Sequence, residues 1–260
     1  MDKNIKKMTP KISIIICSYN RAQYIEKAIR SILDQTFTNF EIIVIDDASE
    51  DNTENIVRDL TQKDQRIKYF KNENNLGISK SRNKGVSLAQ GEYIAMLDSD
   101  DYWIDNNKLL KQVDILEEDK NIGLIGSDVL CVDQNGKELK KHYYKSRDSD
   151  IRKKILCKNQ FAQSSVVFRK KIFNEVGKYN ESLDVCEDLD LWLKIGKKNK
   201  FQNLNKITTA YMVHQGGISK QRKLKIATNI DKIITENKQL YPNYFWAKTI
   251  SIIRILKAWI

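Results

Sequence analysis

The chain has 260 residues, enough for one large domain with a substantial core, or a domain plus a helical appendage. Its 41% apolar content excludes a disordered chain, and no apolar run reaches the roughly 18–20 residues that span a bilayer. The formal charge of +11 comes mainly from lysine and has no nucleic-acid motif beside it, which leaves a solvated surface or attraction to an anionic membrane or substrate.

The first ten residues, Met1 to Pro10, are charged and lack the apolar stretch of a signal peptide, so a cytoplasmic protein is expected. Lys11 to Cys17 is a β-branched apolar run that reads as a strand buried on both faces, with Cys17 acting as a small hydrophobe. Tyr24, Ile25, Ala28, Ile29, Ile32 and Leu33 then recur at helical spacing. Phe40 to Ile45 is a second buried strand that stops at Asp46-Asp47, and Glu92 to Leu97 is a third that stops at Asp98-Ser99-Asp100-Asp101. Crossovers this long allow parallel pairing and predict an α/β domain. Such sheets bind ligands at the carboxyl ends of their strands, where these acidic clusters fall.

Further strands are expected over Ile122–Leu130, Gln163–Phe168 and Lys206–Val213. Cys186 to Gly196 reads as a helix with acids in its first turn, and the chain past about Ser219 reads as mostly helical. One domain over 1–220 with a helical extension over 221–260 accounts for this order. Cys17, Cys131, Cys157 and Cys186 form no C-x-x-C pair, so neither a sulfur metal site nor a disulfide framework is expected.

The chemistry concentrates in the strand-end clusters. Asp98 and Asp100, two apart after a buried strand, could aim two carboxylates at one hard cation such as magnesium or manganese. Capping a helix or solvating a turn is the plainer role for such acids, and it suits Ser49 and Asp51. Asp47 is different, because nothing structural requires consecutive carboxylates at the mouth of a buried sheet; a contact to a base or ribose would explain it. Gly77 suits a turn, while Arg82 could face a diphosphate or pair with a nearby aspartate.

The ordered set formed by Cys17-Ser18-Tyr19-Asn20-Arg21, Ile45 to Ser49, Asn75 to Gly85, Gly91 to Asp101, Gly177 to Leu183, Glu187 to Trp192 and His214 to Ser219 closely resembles family 2 glycosyltransferases. That resemblance covers roughly Ile12 to Ser219. It implies the GT-A fold, a mixed and mainly parallel sheet flanked by helices. It also implies inverting, metal-dependent transfer of a hexosyl or N-acetylhexosaminyl group from a nucleoside-diphosphate sugar, with UDP the expected carrier and Mn2+ or Mg2+ the cofactor. The acceptor would be a hydroxyl of a glycan or glycolipid in cell-surface polysaccharide biosynthesis.

Residue by residue, the resemblance casts Tyr19 as the ring stacking on the donor base, Asp47 as the acid contacting it and Arg82 as the basic residue near the nucleotide. Asp98 would serve the ribose and metal, Asp100 would be the principal metal ligand, and His214 would help hold the metal or diphosphate. Asp188 falls at the position of the general base, with Glu187 beside it. Trp103 is placed on the acceptor side with Glu187, since sugars stack on aromatic rings, whereas Trp192 is expected in the core.

The alternative is a non-catalytic nucleotide-sugar-binding or scaffold subunit. A dinucleotide enzyme is disfavoured because Ser18-Tyr19-Asn20-Arg21 replaces a G-x-G-x-x-G turn. In the tail, apolar residues 245, 252, 256 and 259 recur near helical spacing, with Lys248, Arg254 and Lys257 around the other side. That helix could dock on the protein or lie peripherally in a membrane interface.

Overall fold

In the computed structural model, which describes residues 9–214 and 222–259, one nine-stranded mixed sheet organises the chain. The strands are β1 (Ile12–Ser18), β2 (Phe40–Asp46), β3 (Ile67–Lys71), β4 (Tyr93–Met96), β5 (Tyr102–Trp103), β6 (Ile122–Val132), β7 (Glu138–His142), β8 (Val167–Arg169) and β9 (Lys200–Met212). They lie in the order β3-β2-β1-β4-β8-β6-β9-β5, with β7 paired to β6. The first four are parallel neighbours, and antiparallel β8 joins them to the parallel pair β6–β9.

The helices are α1 (Ala22–Leu33), α2 (Thr53–Lys63), α3 (Ile78–Leu88), α4 (Lys108–Glu118), α5 (Asp148–Lys154), α6 (Lys170–Glu175), α7 (Glu187–Gly196), α8 (Lys223–Glu236) and α9 (Tyr244–Trp259). Alternate residues of β1 and β2 enter opposite core clusters. Ile14, Ile16, Ile42 and Val44 pack with α1, α2 and α4, whereas Ile15, Cys17, Ile43 and Ile45 pack with α3, α7 and the carboxyl-terminal helices. Burial on both faces is why these strands read as unbroken apolar runs rather than alternating ones. Gly85 lets α3 lie directly on β1, since a Cβ there would stand 2.5 Å from Ile15 Cγ2.

Two expectations change in detail. Gln163–Phe168 is not one strand, because Gln163–Ser165 form a single 3-10 turn before β8. The Ser165 hydroxyl donates to the Ala162 carbonyl at 2.8 Å, and this local bond competes with strand extension. The strand expected from Lys206 begins six residues earlier, at Lys200. The four cysteines are free.

The carboxyl-terminal segment shares the main core: Ile233 and Ile234 of α8, Tyr241 between the helices, and Ala247 of α9 join the cluster around Trp192. Burial on α9 is inverted, however. Its buried residues are small, Ala247 and Ser251, while Phe245, Trp246, Leu256 and Trp259 face outward. No helix among the described residues is long and apolar enough to cross a membrane.

Candidate active site

The parallel strands β1, β2 and β4 deliver their carboxyl ends to one edge, where the chain order 3-2-1-4 places a crevice. Tyr19 leaves β1 exposed to solvent, with its ring available to a ligand. Asn20 and Ala48 adopt left-handed backbones, at φ 53° and 66°, which turn the two loops toward each other. Side chains then lock the loops: Ser49 Oγ accepts the Asn20 amide at 2.9 Å, and Asn20 Oδ1 accepts the Glu50 amide at 2.9 Å. Asp51 accepts amides from Thr53 and Ala22, capping the first turns of both α2 and α1.

Asp47 is buried, and its carboxylate accepts from the Asn72 side chain at 2.7 Å and the Leu76 and Gly77 amides at 2.9 Å each. Gly77 carries φ 85° at the start of α3, so the turn expected there exists and is organised around Asp47. A carboxylate with these partners fixes one wall of the crevice. Ligand contact would use its remaining lone pairs.

Arg82 of α3 is the connecting residue. It is buried, donates to Asp98 Oδ1 at 2.6 Å, and pairs through its other terminal nitrogen with Glu187 at the start of α7. A planar guanidinium fork can hold two carboxylates in fixed directions. It thereby ties the Asp98-Ser99-Asp100 loop to the first turn of α7.

Asp100 turns the other way. Its Oδ2 lies 2.9 Å from His214 Nε2 and 3.5 Å from Arg21 Nε, and His214 also packs its ring on Tyr24. The loop is anchored from below by Asp101, which accepts the Met212 amide at 2.8 Å and the Ser164 hydroxyl. Ser164 in turn accepts the Asp98 amide at 3.0 Å. Burial, then the neighbouring Asp100 and Asp98, push the Asp101 carboxyl well above the usual range.

Cys186, at φ 65°, bends the chain abruptly so that α7 begins with Glu187 and Asp188 aimed at the crevice. Asp188 accepts the Asn159 side-chain amide at 2.9 Å and the Leu189 amide at 2.7 Å. Burial, followed by repulsion from Glu187, raises its carboxyl to about 7, despite the lowering effect of the Leu189 amide. A group so poised exchanges a proton near neutrality.

Tyr19, Asp47, Arg82, Asp98, Asp100, His214, Glu187 and Asp188 therefore line or support one edge of the sheet, whereas Trp103 does not join them. Its ring is buried in the core, its indole N–H donates to the Ser164 carbonyl at 2.8 Å, and Lys108 Nζ lies 4.1 Å from its centroid. The acceptor-side placement of Trp103 is corrected on that basis: no face of the ring is left for a sugar. Glu187, also expected near the acceptor, is spent on Arg82. Trp192 is fully buried, as expected.

The residues the sequence reading missed are the supports: Asn72, Asp101, Asn159 and Ser164. Their polar side chains become meaningful only through partners far along the chain. Only Asp101, inside an acidic run yet followed directly by Tyr-Trp, carried a signal of turning inward.

Among the described residues no three His, Cys, Asp or Glu side chains stand together as a metal site. Asp100 and His214 fit as a pair of protein ligands, because magnesium or manganese sites often take one or two protein groups and complete the shell with phosphate oxygens. Asp98 is turned away from that pair by Arg82. The motif running from His214 to Ser219 lies outside the described residues beyond its histidine.

Residues 13–177 match the sequence model of the family described as Glycosyl transferase family 2. An uncharacterized glycosyltransferase of Methanocaldococcus jannaschii is 34% identical over 248 residues, covering 91% of this chain and 84% of that protein. The Escherichia coli UDP-Glc:alpha-D-GlcNAc-diphosphoundecaprenol beta-1,3-glucosyltransferase is 32% identical over 228 residues, covering 86% of each chain. A mannosyltransferase from Pyrobaculum calidifontis, solved in complex with GDP-Man and Mn2+, superposes with a TM-score of 0.71 at 17% identity, over 97% of this chain and 76% of that one.

Proposed function

The chain belongs to glycosyltransferase family 2 and has its GT-A fold, and from that premise we propose an inverting transfer of a sugar from a UDP-sugar to a hydroxyl of a lipid-linked glycan. The observation that carries this reading is the Arg82 fork, which holds the Asp98–Asp100 loop and the Asp188 turn against the same crevice. A donor side and a base side are joined by one buried residue.

In this reading Tyr19 stacks on the base, the Asp47 wall bounds the nucleotide, and Asp98 meets the ribose. Asp100 and His214 would hold a Mn2+ or Mg2+ ion, whose charge would offset that gathering on the departing diphosphate. Asp188 takes the proton from the acceptor hydroxyl while that oxygen attacks the anomeric carbon from the face opposite the diphosphate. The new C–O bond forms as the bond from the anomeric carbon to the diphosphate oxygen breaks, and the proton stays on Asp188. An elevated carboxyl makes Asp188 a stronger base than an ordinary aspartate once ionised. Transition-state charge is met by groups already fixed in place, which is the economical way to favour it over the ground state.

UDP-Glc and an alpha-D-GlcNAc-diphosphoundecaprenol acceptor are the substrates named for the E. coli relative, and substrates of that class are the ones proposed for this site. The extension over 221–260 would then bring the 1–220 transferase domain to that acceptor at a membrane interface. The outward Phe245, Trp246, Leu256 and Trp259 of α9 would enter the headgroup layer, with the basic chain drawn to anionic lipid.

Isothermal titration of UDP-sugars with manganese present, on the wild type and Asp100→Ala, tests the donor half. Affinity should fall about tenfold or more in the variant; equal affinities would remove Asp100 from metal binding. Failure of every nucleotide-sugar to bind, with transfer absent, would favour the scaffold alternative.

A further inference from the structure

A second site lies beside the base side of the crevice. An open groove of about 370 Å³ is lined by Lys145, Lys153, Lys154 and Lys158, with Trp246 and Ile250 of α9 along one wall. Among the described residues none of these four lysines forms an ion pair, and no carboxylate lines the groove. Some lysines elsewhere are answered by a carboxylate, as Lys68 is by Glu41, Lys200 by Asp119, Lys225 by Asp184 and Lys248 by Asp231; what distinguishes this groove is that four lysines share one lining with no carboxylate in it. The other polar groove of similar size, along β9, contains Asp119 and Asp148 among its walls. Four like charges gathered without a counter-charge repel one another, and they persist at low cost where an anion is the usual occupant.

Position gives the groove its meaning. Lys158 and Gln160 line it, and the residue between them, Asn159, donates to Asp188 at 2.9 Å. Consecutive residues stand about 3.8 Å apart, so the groove and the candidate base share a single wall. On the opposite side, Trp246 belongs both to the groove and to the outward apolar face of α9, where it is 66% exposed. An occupant with an anionic group in the lysines, an apolar chain running out past Trp246 and a short glycan reaching over the wall would touch all three regions.

We propose that this groove receives the diphosphate of a polyprenyl-diphosphate-linked acceptor at the bilayer surface, and so sets which sugar hydroxyl arrives at Asp188. The inference rests on the lipid-linked acceptor proposed above and adds to it where the acceptor is gripped. Lys145, Lys153, Lys154 and Lys158 supply charge and donors to the phosphate oxygens. Trp246 and Ile250 guide the first isoprene units toward the membrane. None of these residues takes part in the chemistry at the anomeric carbon.

The test uses the full chain and the surface variant Lys153→Gln/Lys154→Gln/Lys158→Gln, with its melting temperature checked against the wild type. Flotation is measured with phosphatidylcholine vesicles carrying polyprenyl diphosphate, and with vesicles matched in surface charge by phosphatidylglycerol. The wild type should bind the diphosphate vesicles at least fivefold more tightly than the phosphatidylglycerol vesicles, and the variant should lose that excess. Equal binding to both vesicles would make the groove a generic anionic-surface contact and overturn the proposal, as would a variant that keeps the excess. A Trp246→Ser variant gives an independent reading and should lower kcat/KM for the lipid-linked acceptor while leaving it unchanged for a short soluble glycoside. Transfer to the soluble glycoside separates the two ideas. If it proceeds while vesicle discrimination is absent, only the groove assignment falls; if no transfer occurs to any acceptor, the transferase reading falls first.

Discussion

The strand-end crevice and the carboxyl-terminal helices are built on opposite terms. At the crevice nearly every charge already has a protein partner: Asp47 has Asn72 and two amides, Asp98 has Arg82, Asp100 has His214 and Arg21, and Asp101 has Ser164 and Met212. On the outward face of α9 large apolar side chains are exposed, and in the neighbouring groove four lysines have no ion-pair partner among the described residues. The crevice is preorganised, so a ligand there meets fixed dipoles and little needs to be reordered. The tail presents an exposed apolar patch, the kind of surface that the proposed membrane contact would use. One end of the molecule holds its shape for chemistry, and the other holds its surface open for docking.

Four perturbations would break or sharpen that contrast, and the first should have the largest effect. Asp188→Asn should lower transfer by about 10²–10⁴-fold while leaving donor affinity intact. Its stability should respond in the opposite direction. A carboxyl raised to about 7 favours its neutral form when folded, so its contribution is present below the unfolded value and is lost as pH rises through about 7. The variant lacks that loss, and its melting temperature should exceed the wild type's at pH 8 but not at pH 4. The same shift predicts that wild-type kcat/KM for a soluble acceptor rises roughly tenfold per unit below pH 7 and levels above it. A flat profile would remove Asp188 from the proton transfer.

Arg82→Met should come next. It strips the buried partner from Glu187 and Asp98, and breaking a buried pair by removing one member costs about 3 kcal/mol or more, readable by urea denaturation. If stability barely changes, the two sides of the crevice are not joined through this residue. Trp103→Phe should cost about 1 kcal/mol for the lost bond to the Ser164 carbonyl, with acceptor KM unchanged. A KM effect without a stability effect would return Trp103 to the acceptor side. The smallest stability change belongs to Phe245→Ser combined with Trp259→Ser on the outward face, within about 0.5 kcal/mol, because neither side chain is buried. Vesicle binding should nonetheless weaken in that variant, and unaltered flotation would assign the face to another partner.

Much of this was legible before any coordinates. The buried strands β1 and β2, the helix α1 and the acidic first turn of α7 follow from periodicity, because both-face burial and amphipathic stripes leave unmistakable residue patterns. The edge strand β3 did not, since its sequence Ile-Lys-Tyr-Phe-Lys mixes lysines into a short run, as edge strands do to discourage further pairing. The Gln163–Phe168 segment misled because its hydroxyls bond locally and turn the chain. Within the site, the candidate chemical residues could be named, but their support could not. Asn159 and Ser164 look like ordinary loop polar residues until folding brings them to Asp188 and the Asp98 loop.

Taken alone, the sequence determined the α/β class and the order of the strand-end clusters, because these depend on local periodicity and residue type, while the roles expected of their carboxylates came from the family resemblance. Tertiary structure decided the pairings. It turned Asp98 to Arg82 and Asp100 to His214, buried Trp103, lifted Asp188 to about 7 and left α9 docked by its small residues with its large ones outward. Each of those outcomes depends on desolvation or on a partner distant in the chain, and neither is written in the neighbouring residues.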